Sequence, residues 1–136
     1  MPNLQTRRGD ERVVLWLQVK QAGVIALAAV NLVLLVWALL TGRQKRSLPG
    51  GYYRLLPVST GIVAFQLGVG LFFIIQGRQP HLQHLFYGAL VAIGAILQFL
   101  LRPGSATGQR YRHKPLVHAV LALFVALVGI RSWMTG

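Results

Sequence analysis

Four stretches of the chain, 21–40, 55–76, 83–101 and 115–133, consist almost wholly of apolar side chains, and Arg131 is the single charged residue within them. A helix rises 1.5 Å per residue, so about 20 such residues cross the roughly 30 Å of a bilayer's hydrocarbon layer. The pattern predicts four membrane-spanning helices. The gaps between them carry helix breakers and residues that require water. Gly42, Pro49, Gly50 and Gly51 stand among Arg43, Lys45 and Arg46 in the first gap, and Arg78 and Pro80 lie in the second. The third holds Pro103, Gly104 and Gly108 beside Arg110, Arg112, His113 and Lys114. Pro115 suits a first helical position, where a missing N–H costs nothing, and Pro57 reads the same way. The loops are too short to fold as domains of their own. One unit over 1–136 follows, all-α in class: a membrane-spanning four-helix bundle with short basic loops.

Residues 1–20 form a tail whose apolar run, Val13, Val14, Leu15, Trp16, Leu17 and Val19, is interrupted by Gln18 and Lys20. The run extends the first helix into the headgroup layer. A helix from Val13 would be about 42 Å long, so its first two turns are expected to tilt or lie at the interface, with Lys20 snorkelling. The apolar stretch runs on without a small-residue cleavage site, which argues against a cleavable signal peptide. Arg7-Arg8 is followed by Gly9, Asp10 and Glu11, where a twin-arginine signal needs apolar residues.

Composition narrows the chemistry. The 136 residues are 54% hydrophobic and 12% charged, the net charge is +12, and Asp10 and Glu11 are the two acids. Past Glu11 there is no carboxylate side chain to serve a paired-carboxylate hydrolase, a carboxylate-bound metal or an Asp/Glu proton relay. The lack of cysteine removes disulfides, iron–sulfur clusters, thiolate zinc and cysteine nucleophiles. On the side of the N-terminus, second loop and C-terminus lie Arg7, Arg8, Arg12, Lys20, Arg78 and Arg131. On the side of the first and third loops lie Arg43, Lys45, Arg46, Arg54, Arg102, Arg110, Arg112 and Lys114. The excess favours an inner (plasma) membrane protein with its first and third loops in the cytoplasm. Arg43, Lys45, Arg46, Arg54, Arg110, Arg112 and Lys114 read as a double collar for anionic lipid headgroups, each worth about 1 kcal/mol near a charged leaflet. Charges held in short loops against a membrane do not suit nucleic acid. Tyr52, Tyr53 and Tyr111 add an interfacial aromatic belt, and Trp133 anchors the opposite side.

In hydrocarbon a polar side chain must face protein or water, so its position reports the inside of the bundle. Asn31 and Gln66 sit near mid-span and are expected to clasp the first two helices through an amide–amide hydrogen bond, worth about 0.6 kcal/mol and up to ~2. Small residues mark expected close contacts: Gly61, Ala64 and Gly68 on the second helix, Gly88 and Ala95 on the third, and Ala119, Ala122, Ala126 and Gly129 on the fourth. Bundle assembly is their expected role, and a homodimer face is the alternative. On the N-terminal side topology gathers a polar mouth of His84, Tyr87 and Arg131 with Gln76 and His81. On the other side meet Arg54, Ser59, Thr60, Gln98, Arg102 and His118.

His84-Leu85-Phe86-Tyr87-Gly88 opening the third span, with Arg131-Ser132-Trp133-Met134-Thr135-Gly136 at the end, resembles small bacterial four-span integral membrane proteins that share a His-x-x-Tyr-Gly element and an Arg-x-x-x-Thr-Gly ending. The resemblance covers about the last 85 residues. It implies a four-helix fold and no biochemical activity, and neither His81 nor the long basic third loop belongs to the pattern.

The remaining chemistry is expected to be sparse. His84 and His118 open consecutive antiparallel helices and so lie roughly 25 Å apart, too far to grip one haem b iron. A haem would need His81 or His84 from two protomers, or a non-histidine ligand. Ser59 and His118 have no acid to orient the imidazole and no oxyanion hole. His81 and His84 lack further metal ligands. The expectation is no enzyme, no catalytic residue, no metal and no cofactor. The chain then reads as a structural, accessory or assembly subunit whose partners are anionic lipids, other membrane subunits or a second copy. The alternative is a ligand-binding or transport module for an anionic, quinone-like or haem ligand at the polar mouth.

Overall fold

The apolar runs form helices, and the helices outrun the apolar segments that predict them. A computed structural model describes residues 4–135, with side chains from Val14 onward. It contains α1 (Leu4–Arg43), α2 (Gly50–Ile75), α3 (Leu82–Leu100), α4 (Ala106–Tyr111) and α5 (Pro115–Met134). Four of them, α1 from Val14, α2, α3 and α5, are long and apolar enough to span a membrane. The side chains of the tail through Val13, Asp10 and Glu11 among them, lie outside the described residues.

The four long helices form a ring in the order α1, α2, α3, α5, closing back onto α1. Each neighbour runs antiparallel to the next. Trp37 faces Gly51, while Trp16 meets Phe72 and Phe73 at centroid distances of 6.2 and 5.8 Å. Leu27 faces Gly129, Gly42 faces Pro115 and Gly94 faces Val125. Two apolar layers fill the ring. One holds Leu34, Ala38, Leu48, Tyr52, Leu56, Ala119 and Ala122; the other holds Leu27, Val63, Val91, Ala95 and Val125.

The register moves the expected boundaries. Trp16 lies level with Phe72, so the apolar run from Val14 continues α1 as the expected helical extension and packs on α2. Helix α2 begins at Gly50, five residues before the expected start, because Arg54 stays exposed while Tyr52 and Leu56 on either side turn inward. A long cationic side chain can leave the apolar layer in this way without ending the helix. Pro57 consequently sits inside α2 rather than at its first position, where it cannot donate to the carbonyl four residues back. The third loop also contains structure: Ser105 caps α4, its hydroxyl accepting from the Gly108 N–H at 2.8 Å.

The small residues divide in two. Ala119, Ala122 and Gly129 of α5 and Gly94 and Ala95 of α3 are buried where these helices meet their neighbours. Gly61, Ala64 and Gly68 of α2, expected at a close contact within the bundle, are exposed. No atom outside the helix lies within 4 Å of where a Cβ on Gly61 or Gly68 would sit. The inward face of α2 is Tyr52, Leu56, Ser59 and Val63. A Cβ on Gly94 would stand 2.7 Å from Val125 Cγ2 and 3.2 Å from Phe124 Cδ1. Gly94→Ala should therefore cost about 1–3 kcal/mol through overpacking, whereas Gly68→Ala should stay within ~0.5 kcal/mol of the parent. Unfolding by dodecyl sulfate in mixed micelles measures both; equal values would mean α3 and α5 are not in close contact.

Candidate functional site

Three polar places stand out from the apolar bundle. The first is at its centre, between the two apolar layers. Asn31 of α1, Ser59 of α2 and Gln98 of α3 are buried to 2% exposure or less. Asn31 Nδ2 donates to Ser59 Oγ at 2.9 Å. Ser59 Oγ donates to Gln98 Oε1 at 3.0 Å, and Gln98 Nε2 donates to Asn31 Oδ1 at 2.6 Å. Asn31 Nδ2 also reaches the Leu27 carbonyl at 2.9 Å. The ring of bonds joins three helices, and its α1–α3 edge crosses the diagonal of the bundle.

This corrects the expected Asn31–Gln66 clasp. With Asn31 level with Ser59 in antiparallel helices, Gln66 lies two turns away, packed against Gly23, and its buried Nε2 has no partner among the described residues. Ser59 and Gln98 had been placed at one end of the bundle together with His118. The ring commits Ser59's hydroxyl to two amides, so Ser59 and His118 form no dyad. His118 is buried and packs edge-on against Tyr52 and Tyr53, at 5.4 and 5.9 Å between centroids. Its Nε2 and the Tyr53 hydroxyl are buried without hydrogen-bond partners among the described residues. Tyr52, expected in an interfacial belt, is 1% exposed and belongs to the core.

The second place is the mouth at the N-terminal side. His84 Nδ1 donates to the Ser132 carbonyl at 2.8 Å. That carbonyl belongs to the last turn of α5, where backbone donors run out, and it also accepts from the Thr135 hydroxyl at 3.1 Å. The bond fixes the tautomer and leaves Nε2 as an acceptor. The Arg131 guanidinium lies 5.8 Å from the Tyr87 ring centroid, within cation–π range. The structure thus joins His84, Tyr87 and Arg131 across the α3–α5 seam, whereas Gln76 and His81 are exposed on the α2–α3 turn. His118 is 14 residues up α5 from Ser132, about 21 Å of helix rise, so the two histidines lie at opposite ends.

The third place is the basic end. Arg43, Lys45, Arg46, Arg54, Arg110, Arg112 and Lys114 are all exposed there. Lys114 lies 5.4 Å from the Tyr111 ring centroid, and Arg102 lies 3.8 Å from that of Phe99. Helix α1 ends in a Schellman motif: Lys45 N–H donates to the Gly42 carbonyl at 3.1 Å and Arg46 N–H to the Thr41 carbonyl at 3.3 Å. That motif requires a left-handed residue and ordinarily takes glycine. Here it is Lys45, at φ 51°, a conformation that costs a non-glycine residue about 1 kcal/mol. Between this turn and the start of α5 a cavity of about 300 Å³ is lined by Gly42, Lys45, Arg46, Ser47, His113 and Pro115. Sequence reading names the cations but not the cavity, since the antiparallel pairing of α1 with α5 is what brings His113 to Lys45.

No family model, curated protein or solved structure matches the chain.

The central ring makes a graded prediction. Asn31→Ala removes two interhelical bonds and leaves buried partners unpaired, for a loss of roughly 2–3 kcal/mol. The triple replacement Asn31→Leu, Ser59→Ala, Gln98→Leu removes every partner together and should recover part of that loss. Unfolding in mixed micelles would refute the ring if the triple variant proved no more stable than Asn31→Ala.

Proposed function

We propose that the chain is a non-catalytic structural, accessory or assembly subunit of a membrane complex in an inner (plasma) membrane, with its first and third loops in the cytoplasm. The observation that carries this reading is the closed ring of Asn31, Ser59 and Gln98. The side chains best placed to meet a solute inside the bundle are engaged with one another instead. The pairing of His84 with Ser132 and of Arg131 with Tyr87 supports the same reading at the mouth, because it ties α3 to α5. The other reading is a binding or transport module whose mouth accepts an anionic, quinone-like or haem ligand.

The two readings separate experimentally. Protein purified gently in its own lipids should be colourless and should arrive with other membrane subunits in fixed stoichiometry. His84→Ala and Arg131→Ala should each lower stability by about 1 kcal/mol without changing what copurifies. A Soret band, or a stoichiometric small molecule lost in His84→Ala while the bundle stays folded, would overturn the proposal. Orientation is testable because the chain has no cysteine of its own. Gln109→Cys in α4 should react with a membrane-impermeant maleimide only after the cells are opened, and Gln79→Cys on the α2–α3 turn should react in intact cells; the reverse pattern would invert the topology.

A further inference from the structure

The cavity between the end of α1 and the start of α5 has a chemistry that the structural reading does not use. We propose that it binds an anionic phosphate group, for which the headgroup of an acidic phospholipid and free phosphate are the two sources. Its lining residues are Gly42, Lys45, Arg46, Ser47, His113 and Pro115, so two cations, a hydroxyl-bearing residue and a histidine share one opening. A guanidinium fork and an ammonium are the usual partners of phosphate oxygens. The inference does not depend on the bundle being a structural subunit.

Three further observations support it. First, no side chain of this protein can balance these charges. Asp10 and Glu11 are its only carboxylate side chains, and they precede Gly42 by 31 residues or more of one continuous helix, about 46 Å of rise. The counter-anion must come from outside. Second, Lys45 holds a left-handed position that glycine would fill without strain, and it is one of the residues that line the cavity. A strained non-glycine residue retained where glycine fits better marks a side chain with a task. Third, the cavity lies at the end of the four apolar helices that carries the basic loops, where a bilayer spanned by these helices would place its phosphates. The N-terminus of α5, which has no side-chain cap, adds the positive end of its dipole there.

The test titrates delipidated protein in a neutral detergent with phosphatidylcholine, phosphatidylglycerol and phosphatidic acid, read by native mass spectrometry, with inorganic phosphate as competitor. The acidic lipids should bind well above phosphatidylcholine. Lys45→Gly combined with Arg46→Gln should lose roughly thirtyfold in that affinity, the effect of two cations at a charged surface. Lys45→Gly alone keeps the turn in its preferred residue, so it should leave the thermal midpoint equal or higher while still weakening binding. Arg78→Gln, at the opposite end beside Phe73, should bind like the parent. Competition by inorganic phosphate at millimolar levels would identify free phosphate as the source, and its failure to compete would identify lipid. Equal binding of phosphatidylcholine and the acidic lipids, or full binding by the double variant, would overturn the site.

Discussion

Hydrocarbon offers a polar side chain no hydrogen bond, and that constraint decides how these helices meet. Asn31, Ser59 and Gln98 can leave water only by satisfying one another, and each bond fixes one relation: α1 to α2, α2 to α3 and α3 to α1. Sliding α2 by one turn would carry Ser59 past Asn31 and leave two amides in an apolar layer, at about 1–3 kcal/mol for each unpaired group. The apolar layers on either side cannot set register with the same force, because dispersion is non-directional and one Leu against Ala is much like another. The ring therefore selects the register, and the two layers fill the space it defines.

The seams are built in two ways. Where α5 meets α1 and α3, small residues let the helices close: Gly129 against Leu27, Gly94 against Val125 and Phe124. Toward its neighbours, helix α2 places small residues only at Gly51, beneath Trp37, and at Ser59, within the ring, and is otherwise held by bulk. Tyr52, Leu56 and Val63 enter the core, Trp37 stacks edge-on to Tyr52 at 6.4 Å, and Trp16 meets Phe72 and Phe73 at the far end. Its outward residues Val58, Phe65, Leu67, Leu71 and Ile75 are exposed, as helices solvated by lipid should be.

The four helices and their up-down order were legible in the sequence because a run of about 20 apolar residues has few other uses. The site was legible only in pieces, and the failures have physical causes. The second span was started after Arg54, yet a long cationic side chain can snorkel and does not stop a helix. Position near mid-span pairs Asn31 with Gln66, but the register that sets Trp37 against Gly51 and Trp16 against Phe72 brings Ser59, seven residues earlier, level with Asn31. The spacing of Gly61, Ala64 and Gly68 identified a face of α2 but could not say whether that face looks inward. The meeting of His84 with α5 followed from antiparallel order alone. The basic cavity did not, because Lys45 and His113 are brought together by a seam that local sequence does not encode.

The distribution of polar groups bears on where this protein can act. At the centre the ring leaves Asn31, Ser59 and Gln98 with partners, and at the N-terminal mouth His84 and Arg131 are turned onto the neighbouring helix. At the basic end, by contrast, Lys45, Arg46 and His113 surround open space with no carboxylate side chain within about 46 Å along α1. Arg43, Lys45, Arg46, Arg54, Arg102, Arg110, Arg112 and Lys114 are exposed at that end and carry their field outward. The interior fixes the shape of the bundle, and recognition falls to its lipid-facing flanks and to the basic end. There, at Lys45, the backbone gives up its preferred residue and gains a charge.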